Sequence, residues 1–267
     1  MCKMLGVSRS SYYKRKNKGK SKRTKQNEKI LEMIKQIFSE SNQRYGSPRI
    51  TAELNRVGIL CNKKRIARIM RENGIEAKIF RKYRNTTQSD HQREKSENLL
   101  NREFTRQRIN EVWTSDITYI RTAEGWLYLA AVMDVYSRKI VGWQLDKSLS
   151  SDLVERALSN ALLSRKIKRG IIFHSDQGIQ YTSENFRRLL KANGFIQSMS
   201  RKGNCWDNAI TETFFHTLKT ELINRVKYKT REEARVSIFE YIEIFYNRRR
   251  LHSAIGYLTP VEYEKLT

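Results

Sequence analysis

The sequence predicts an α/β protein, a mixed sheet flanked by helices and preceded by a small all-helical domain. Three observations predict it. Residues 27–78 carry apolar side chains at helical spacing, residues 112–144 carry three β-forming runs divided by short turns, and from residue 152 helical and strand-like stretches alternate. Consecutive strands give an antiparallel meander, and alternation gives strands joined by crossover helices, so one sheet holds both kinds of pairing.

The N-terminal elements come first. Leu5-Gly6-Val7, then Ser8 as a helix cap and Arg9 to Arg15, predict the tail of a helical element. Residues 14–26 are basic and glycine-containing with almost no apolar content, which predicts a mobile linker, so 1–26 form a basic remnant and linker. Ile30, Leu31, Ile34 and Ile37 then mark one helix. Ile50, Leu54 and Val57, opened by Pro48 and closed by Gly58, mark a second. A third runs from Asn62 as cap through Ile66, Ile69 and Met70 to Gly74, and its outer face carries Lys63, Lys64, Arg65, Arg68 and Arg71. Three short helices with a cationic last face predict a DNA-binding domain of helix-turn-helix type over 27–78; a solvated charged face is the bland alternative. Residues 79–106 are polar and charged and read as a connecting arm.

From residue 107 to 267 the elements of a second domain follow. Val112 to Ile120 reads as a strand, Thr122 to Gly125 as a turn, and Trp126 to Tyr136 and Lys139 to Gln144 as two further strands. A helix spans Asp152 to Leu163, Ile171 to Phe173 is a short buried strand, and Ser183 caps a helix ending at Gly194. Ile196 to Met199 adds a strand, and long helices are expected over 207–225 and 230–247. This order is that of ribonuclease H-like domains.

Charge narrows the partner. The chain has 267 residues and a formal net charge of +25, with 53 Lys and Arg against 28 Asp and Glu. Residues 1–106 hold 28 basic and 10 acidic residues, a net of +18, whereas 107–267 hold 25 and 18, a net of +7. So strong an excess of one sign implies a polyanion, because each Lys or Arg near a phosphate releases condensed counterions. The three cysteines, Cys2, Cys61 and Cys205, form neither a disulfide framework nor a CxxC pair, which fits a reducing cytosol. No apolar run approaches the length of a membrane span, so no membrane partner is expected.

Three acids carry the chemistry. Asp116 interrupts the β-forming run Trp113-Thr114-Ser115-Asp116-Ile117-Thr118-Tyr119, and a carboxylate there is costly unless it meets a cation or strong donors. Asp176 follows Ile171-Ile172-Phe173-His174-Ser175, at the carboxyl end of a core strand, where open α/β sheets place ligands. Glu212 lies thirty-five intervening residues later, on a helix that Phe214, Phe215 and Leu218 anchor to the sheet. Two strand carboxylates and one from a helix can hold Mg²⁺ or Mn²⁺ and leave positions open for water and phosphate oxygens. Phosphodiester cleavage or transfer follows as the expected chemistry. Lys219 is seven residues past Glu212 on the same helix face, placed for the phosphate backbone. Asn208 either caps that helix or assists the site. Gly178 and Gly203 allow tight turns or close approach of the backbone. His174 and His216 read as structural histidines without zinc-ligand company, and Trp206 reads as packed or stacked on a base.

Together the stretches Trp113–Tyr119, His174–Gly178, Ser198–Asn208 and Glu212–Phe215 resemble the OrfB-type insertion-sequence transposases, bacterial relatives of retroviral integrases with a D,D(35)E site. Tyr246-Asn247, Arg250, His252 and Thr259-Pro260 are similar to the C-terminal signature of that family, and Arg44–Ile50 to its upstream helical domain. The resemblance implies a ribonuclease H-like core, cleavage at element ends and strand transfer to target DNA. It further implies two divalent ions on Asp116, Asp176 and Glu212, with Lys219, Arg201, Lys202 and Asn208 as DNA contacts beside Lys63, Lys64, Arg65 and Arg68. It implies a bacterial, cytoplasmic, nucleoid-associated protein that oligomerises with itself on DNA. Family members work with an upstream OrfA-type product, free or fused, that supplies a full helix-turn-helix and a coiled coil; here Met1–Lys16 reads as the tail of such an element, and no leucine heptad precedes the core.

Overall fold

The apolar stripes of the N-terminal part close on one another as helices. A computed structural model describes residues 2, 4, 6–16, 19–77, 96–201 and 205–266, and the chain divides into two compact units, Met1–Lys78 and Ile79–Thr267. In the first unit, α1 (Arg9–Lys16) opens with the Ser11 N–H donating to Ser8 Oγ at 3.1 Å. The linker expected over 14–26 is corrected: α1 continues to Lys16 and α2 (Lys22–Glu40) already begins at Lys22. Ser21 accepts a hydrogen bond from the Thr24 N–H at 3.1 Å, and once capped the Lys, Arg and Gln residues extend the helix outward from its apolar stripe. α3 (Ser47–Arg56) carries Pro48 in its first turn, and α4 (Lys63–Glu72) is capped by Asn62, whose Oδ1 accepts the Arg65 N–H at 2.8 Å. Ile30, Ile34, Ile50, Leu54, Ile66, Ile69 and Met70 are buried, so the three stripes supply the core. Val57 is the exception. It lies past the end of α3 and is 62% exposed.

The second unit is a five-stranded sheet in the order β3-β2-β1-β4-β5, made of β1 (Val112–Thr122), β2 (Gly125–Asp134), β3 (Ile140–Asp146), β4 (Ile172–Ser175) and β5 (Ile196–Met199). β1, β2 and β3 form an antiparallel meander, and β4 and β5 run parallel to β1. α5 (Ser151–Ser164) and α6 (Glu184–Ala192) close the core around Trp113, Val132, Leu158, Phe173 and Phe186. α5 can lie close to β3 because Gly142 has no side chain: a Cβ there would stand 2.4 Å from the Ala157 carbonyl oxygen.

Two helices expected to be long are interrupted. Over 207–225 the chain makes a 3₁₀ turn at Cys205–Asn208, α7 (Ala209–Glu221) and a second 3₁₀ turn at Ile223–Arg225. The Asn208 amide is drawn to the Ser115 carbonyl at 3.3 Å, which tightens the first turn. Over 230–247, α8 (Arg231–Phe239) passes into a π-helical stretch, Glu240–Tyr246. There Asn247 is tied through Oδ1 and Nδ2 to the N–H and carbonyl of Ile140, both at 3.0 Å, and its own N–H reaches back five residues to Ile242. α9 (Pro260–Glu264) closes the described chain under a capping box from Thr259. The arm expected over 79–106 lies in part outside the described residues. Its last part runs beside β5, the Met199 N–H donating to the Glu97 carbonyl at 3.2 Å and the Leu99 N–H to Ser198 Oγ at 2.9 Å, which covers that sheet edge.

Candidate active site

Parallel pairing of β1 with β4 decides where two of the acids go. Thr114 with His174 is the last pair of that ladder; Asp116 and Asp176 each follow two residues later, close enough for the Asp176 charge to act on Asp116. Side chains alternate across the sheet, so Asp116 shares a face of β1 with Thr114. On that face Thr211 of α7 donates its hydroxyl to Thr114 Oγ1 at 2.7 Å, and the pair is buried. Asn208, also buried, donates Nδ2 to the carbonyl of Ser115. Glu212, next after Thr211 and in the first turn of α7, is therefore held against the strand that carries Asp116. Lys219 follows in the last turn of the same helix.

Both aspartates are braced by main chain. Asp116 Oδ1 accepts the Ile117 N–H at 2.7 Å, and Asp176 Oδ1 accepts the Gly178 N–H at 2.9 Å. Beneath them the hydroxyls of Ser115 and Tyr181 meet at 2.8 Å, with the Tyr181 ring fully buried. Asp116, Asp176, Glu212 and Lys219 are each half-buried, sheltered yet open to solvent. Burial raises the pKa of Asp116 well above the ordinary carboxylate value, the charges of Asp176 and Glu212 raise it further, and the Ile117 N–H and Lys219 oppose the rise. Burial also raises Asp176, against the Gly178 N–H. Burial lowers the Lys219 ammonium, and Asp116 pulls it back up. Asp176, Glu212 and Lys219 thus all act on Asp116. Among the described residues no three His, Cys, Asp or Glu side chains are drawn together as a finished ion cage. Asp116 repelled by the charges of Asp176 and Glu212 makes the donor set a hard divalent cation satisfies, so the residues fit such an ion.

The remaining candidates divide. His174 is fully buried, its Nδ1 2.9 Å from Ser198 Oγ, and burial lowers its pKa to about 4 while Asp207 opposes, so it is a neutral structural residue. His216 lies exposed on α7, so burial gives it no structural role. Asn208 makes no side-chain cap on α7; it bonds to β1 instead. Lys63 and Lys64 stand exposed on α4. Arg65 is directed inward to Asn27 Oδ1 and Gln26 Oε1, and Arg68 lies 3.7 Å from Glu72. The Arg201 guanidinium is engaged by Asp207 through Nε and Nη2, each at 3.0 Å. Lys202 and Gly203 lie outside the described residues, as does the side chain of Trp206. Sequence reasoning missed Asp207 and the Thr211–Thr114 pair as the parts that seat α7. The one signal was an acid between Trp206 and Asn208 at a helix start.

The fold and the acid pocket define an integrase-core, DDE-type polynucleotidyl transferase. Integrase core domain models match residues 106–205 and 212–267, and an HTH-like domain model matches 25–83. The chain is 41% identical to the transposase InsF for insertion sequence IS3A of Escherichia coli over 99% of this chain and 92% of the relative. It is 43% identical to the transposase for insertion sequence element IS904 of Lactococcus lactis over 92% and 97%. A chain of the simian T-cell lymphotropic virus intasome, in complex with PP2A regulatory subunit B56 gamma, shares the fold at a TM-score of 0.50 and 14% identity, covering 86% of this chain and 74% of that one. The chain belongs to the insertion-sequence transposases with an integrase core, of the kind found in IS3 and IS904. This class works with divalent metal ions and acts on DNA, and the HTH-like domain provides for DNA binding. Among the described residues no helix is long and apolar enough to cross a membrane.

Proposed function

We propose that this chain cuts DNA at the ends of an insertion sequence and transfers the freed strand into target DNA, with Asp116, Asp176 and Glu212 as the metal-holding acids. The observation that carries the assignment is the convergence of three elements: Asp116 and Asp176 follow the last β1–β4 pair, Thr211 bonds the start of α7 to β1, and the charges of Asp176 and Glu212 both act on Asp116. Mg²⁺ or Mn²⁺, as two ions, would be held by these three carboxylates and supply activation of the attacking oxygen and stabilisation of the leaving oxygen in an in-line displacement at phosphorus. The chain's own groups do the rest. Main-chain N–H groups of Ile117 and Gly178 fix one oxygen of each aspartate and leave the other for a cation. Lys219, two turns from Glu212, offers its ammonium to the phosphate backbone. Lys63, Lys64, Arg65 and Arg68 of α4, with Arg201 and Lys202 near the core site, make the wider DNA contacts, while Asn208, buried and bonded to β1, serves the site by seating α7. Element ends and target DNA are the partners, handled by an oligomer of this chain with an upstream OrfA-type product, in the bacterial cytoplasm at the nucleoid.

Asp176→Asn removes a charge and keeps the shape. Nicking of a duplex ending in the element's terminal repeat should disappear while binding of the same duplex persists. Strand transfer retained by that variant would overturn the assignment.

A further inference from the structure

Asp207 has a carboxylate with no solvent exposure, held by Asn98 Nδ2 at 2.8 Å, Arg102 Nε at 3.0 Å, and the main-chain N–H, Nε and Nη2 of Arg201, each at 3.0 Å. The two arginines hold its pKa far below the ordinary carboxylate value, so it is charged throughout the working range. One negative charge therefore faces two guanidinium groups, and the cluster keeps a net charge of one positive unit. Each arginine side chain also keeps about half its surface in solvent, 47% for Arg102 and 52% for Arg201. A guanidinium has five N–H donors. The bonds to Asp207 use Nε of Arg102 and Nε and Nη2 of Arg201, so both half-exposed side chains keep further donors.

Two like charges gathered on one carboxylate need a reason to stay together. Asp207 supplies part of it, and a second anion between the exposed edges would supply the rest. The position indicates which anion. Asn208, next in the chain, is bonded to the main chain beside Asp116, and Glu212 is five residues on, about 8 Å along a helix axis. A phosphate here would lie close in the strand to one at the acids.

We propose that Arg102 and Arg201, set in place by Asp207, form a clamp for a backbone phosphate of the DNA strand that enters the acid site. This rests on the proposed function for where the strand runs. Arg201 alone was legible as a DNA contact; the clamp adds Arg102, which lies 105 residues before Asp207, and a buried acid that fixes the fork of both. Bidentate phosphate recognition by arginine is the chemistry such a fork serves.

Arg102→Gln leaves Asp207 its bonds to Arg201 and Asn98 and makes the cluster neutral. Binding of a duplex ending in the terminal repeat is measured across a salt series without divalent ion, so no strand is cut. The slope of log K against log salt should shrink by about 0.9, the loss of one phosphate contact, with the melting temperature little changed. Arg102→Lys keeps the charge and should keep the slope. An Arg102→Gln slope equal to that of the wild type overturns the clamp. If Arg102→Gln does not fold, the wild-type chain decides. Neutral methylphosphonates placed singly along the strand near the cleavage point should reveal one position that reduces the slope equally, and the absence of any such position overturns the clamp. The assay reads binding alone, so loss of the acid assignment would leave its result standing.

Discussion

Gly178 shows how little room the acid pocket leaves. Its N–H holds Asp176 Oδ1, and a Cβ built on it would stand 2.9 Å from that oxygen and 3.1 Å from Gln180 Oε1. No L side chain keeps both the hydrogen bond and the carboxylate position, so Gly178→Ala should push Asp176 aside. A displacement of about 1 Å in a reacting group costs on the order of a hundredfold in rate. Cleavage should fall by roughly that factor while DNA affinity holds; unchanged cleavage would show that Asp176 does not need its brace. Asp116 and Asp176 were expected because a β-forming run and a strand end have no use for a charge, and Glu212 because it follows Asp176 by thirty-five intervening residues on a helix anchored by Phe214, Phe215 and Leu218. Asp207 was not, because its meaning lies in Asn98 and Arg102, more than a hundred residues away, and nothing in a linear pattern joins them.

α7 is the element on which the site turns, and it is fixed at both ends. Its start is seated on β1 by Thr211 and Asn208, and its last residue, Glu221, is buried against Arg250. Arg250 donates Nη2 at 2.8 Å and Nε at 2.9 and 3.1 Å, and the Tyr241 hydroxyl adds a bond at 2.8 Å. Removing one partner of a buried ion pair strands the other, at about 3–5 kcal/mol, whereas removing both is far milder. Arg250→Met should therefore lower unfolding free energy in urea by about that amount, and Glu221→Gln with Arg250→Met by clearly less. Equal losses in the two variants would mean that Glu221 does not depend on Arg250. α2 starts at Lys22, before its expected start at 27, but the strands and helices α3 to α6 were read to within about two residues because alternation and caps are local. The 3₁₀ turn before α7 and the π-helical stretch after α8 were not, because Ser115 and Ile140, distant in sequence, impose them.

At the scale of the molecule, a chain of net charge +25 encloses a pocket where carboxylates repel one another. Raised folded pKa values have a definite sign in the linkage. Asp116 and Asp176 contribute stability below the pKa of an unfolded carboxylate and lose it as pH rises through their raised folded values. At neutral pH without metal the pocket therefore opposes folding, and a divalent cation between the acids offsets that opposition. Two consequences separate this from a purely structural acid cluster. Asp116→Asn, which removes one of the repelling charges, should melt at a higher temperature than the wild type in metal-free buffer, while losing cleavage by at least about a hundredfold. Added Mg²⁺ or Ca²⁺ should raise the melting temperature of the wild type and leave that of Asp116→Asn nearly where it was, and the wild-type rise should grow from pH 5 to pH 8 as the acids lose their protons. Melting curves with and without cation at several pH values test both. A wild type indifferent to the cation, or a variant that melts below it in metal-free buffer, would mean that the three carboxylates are bound to the protein rather than waiting for an ion.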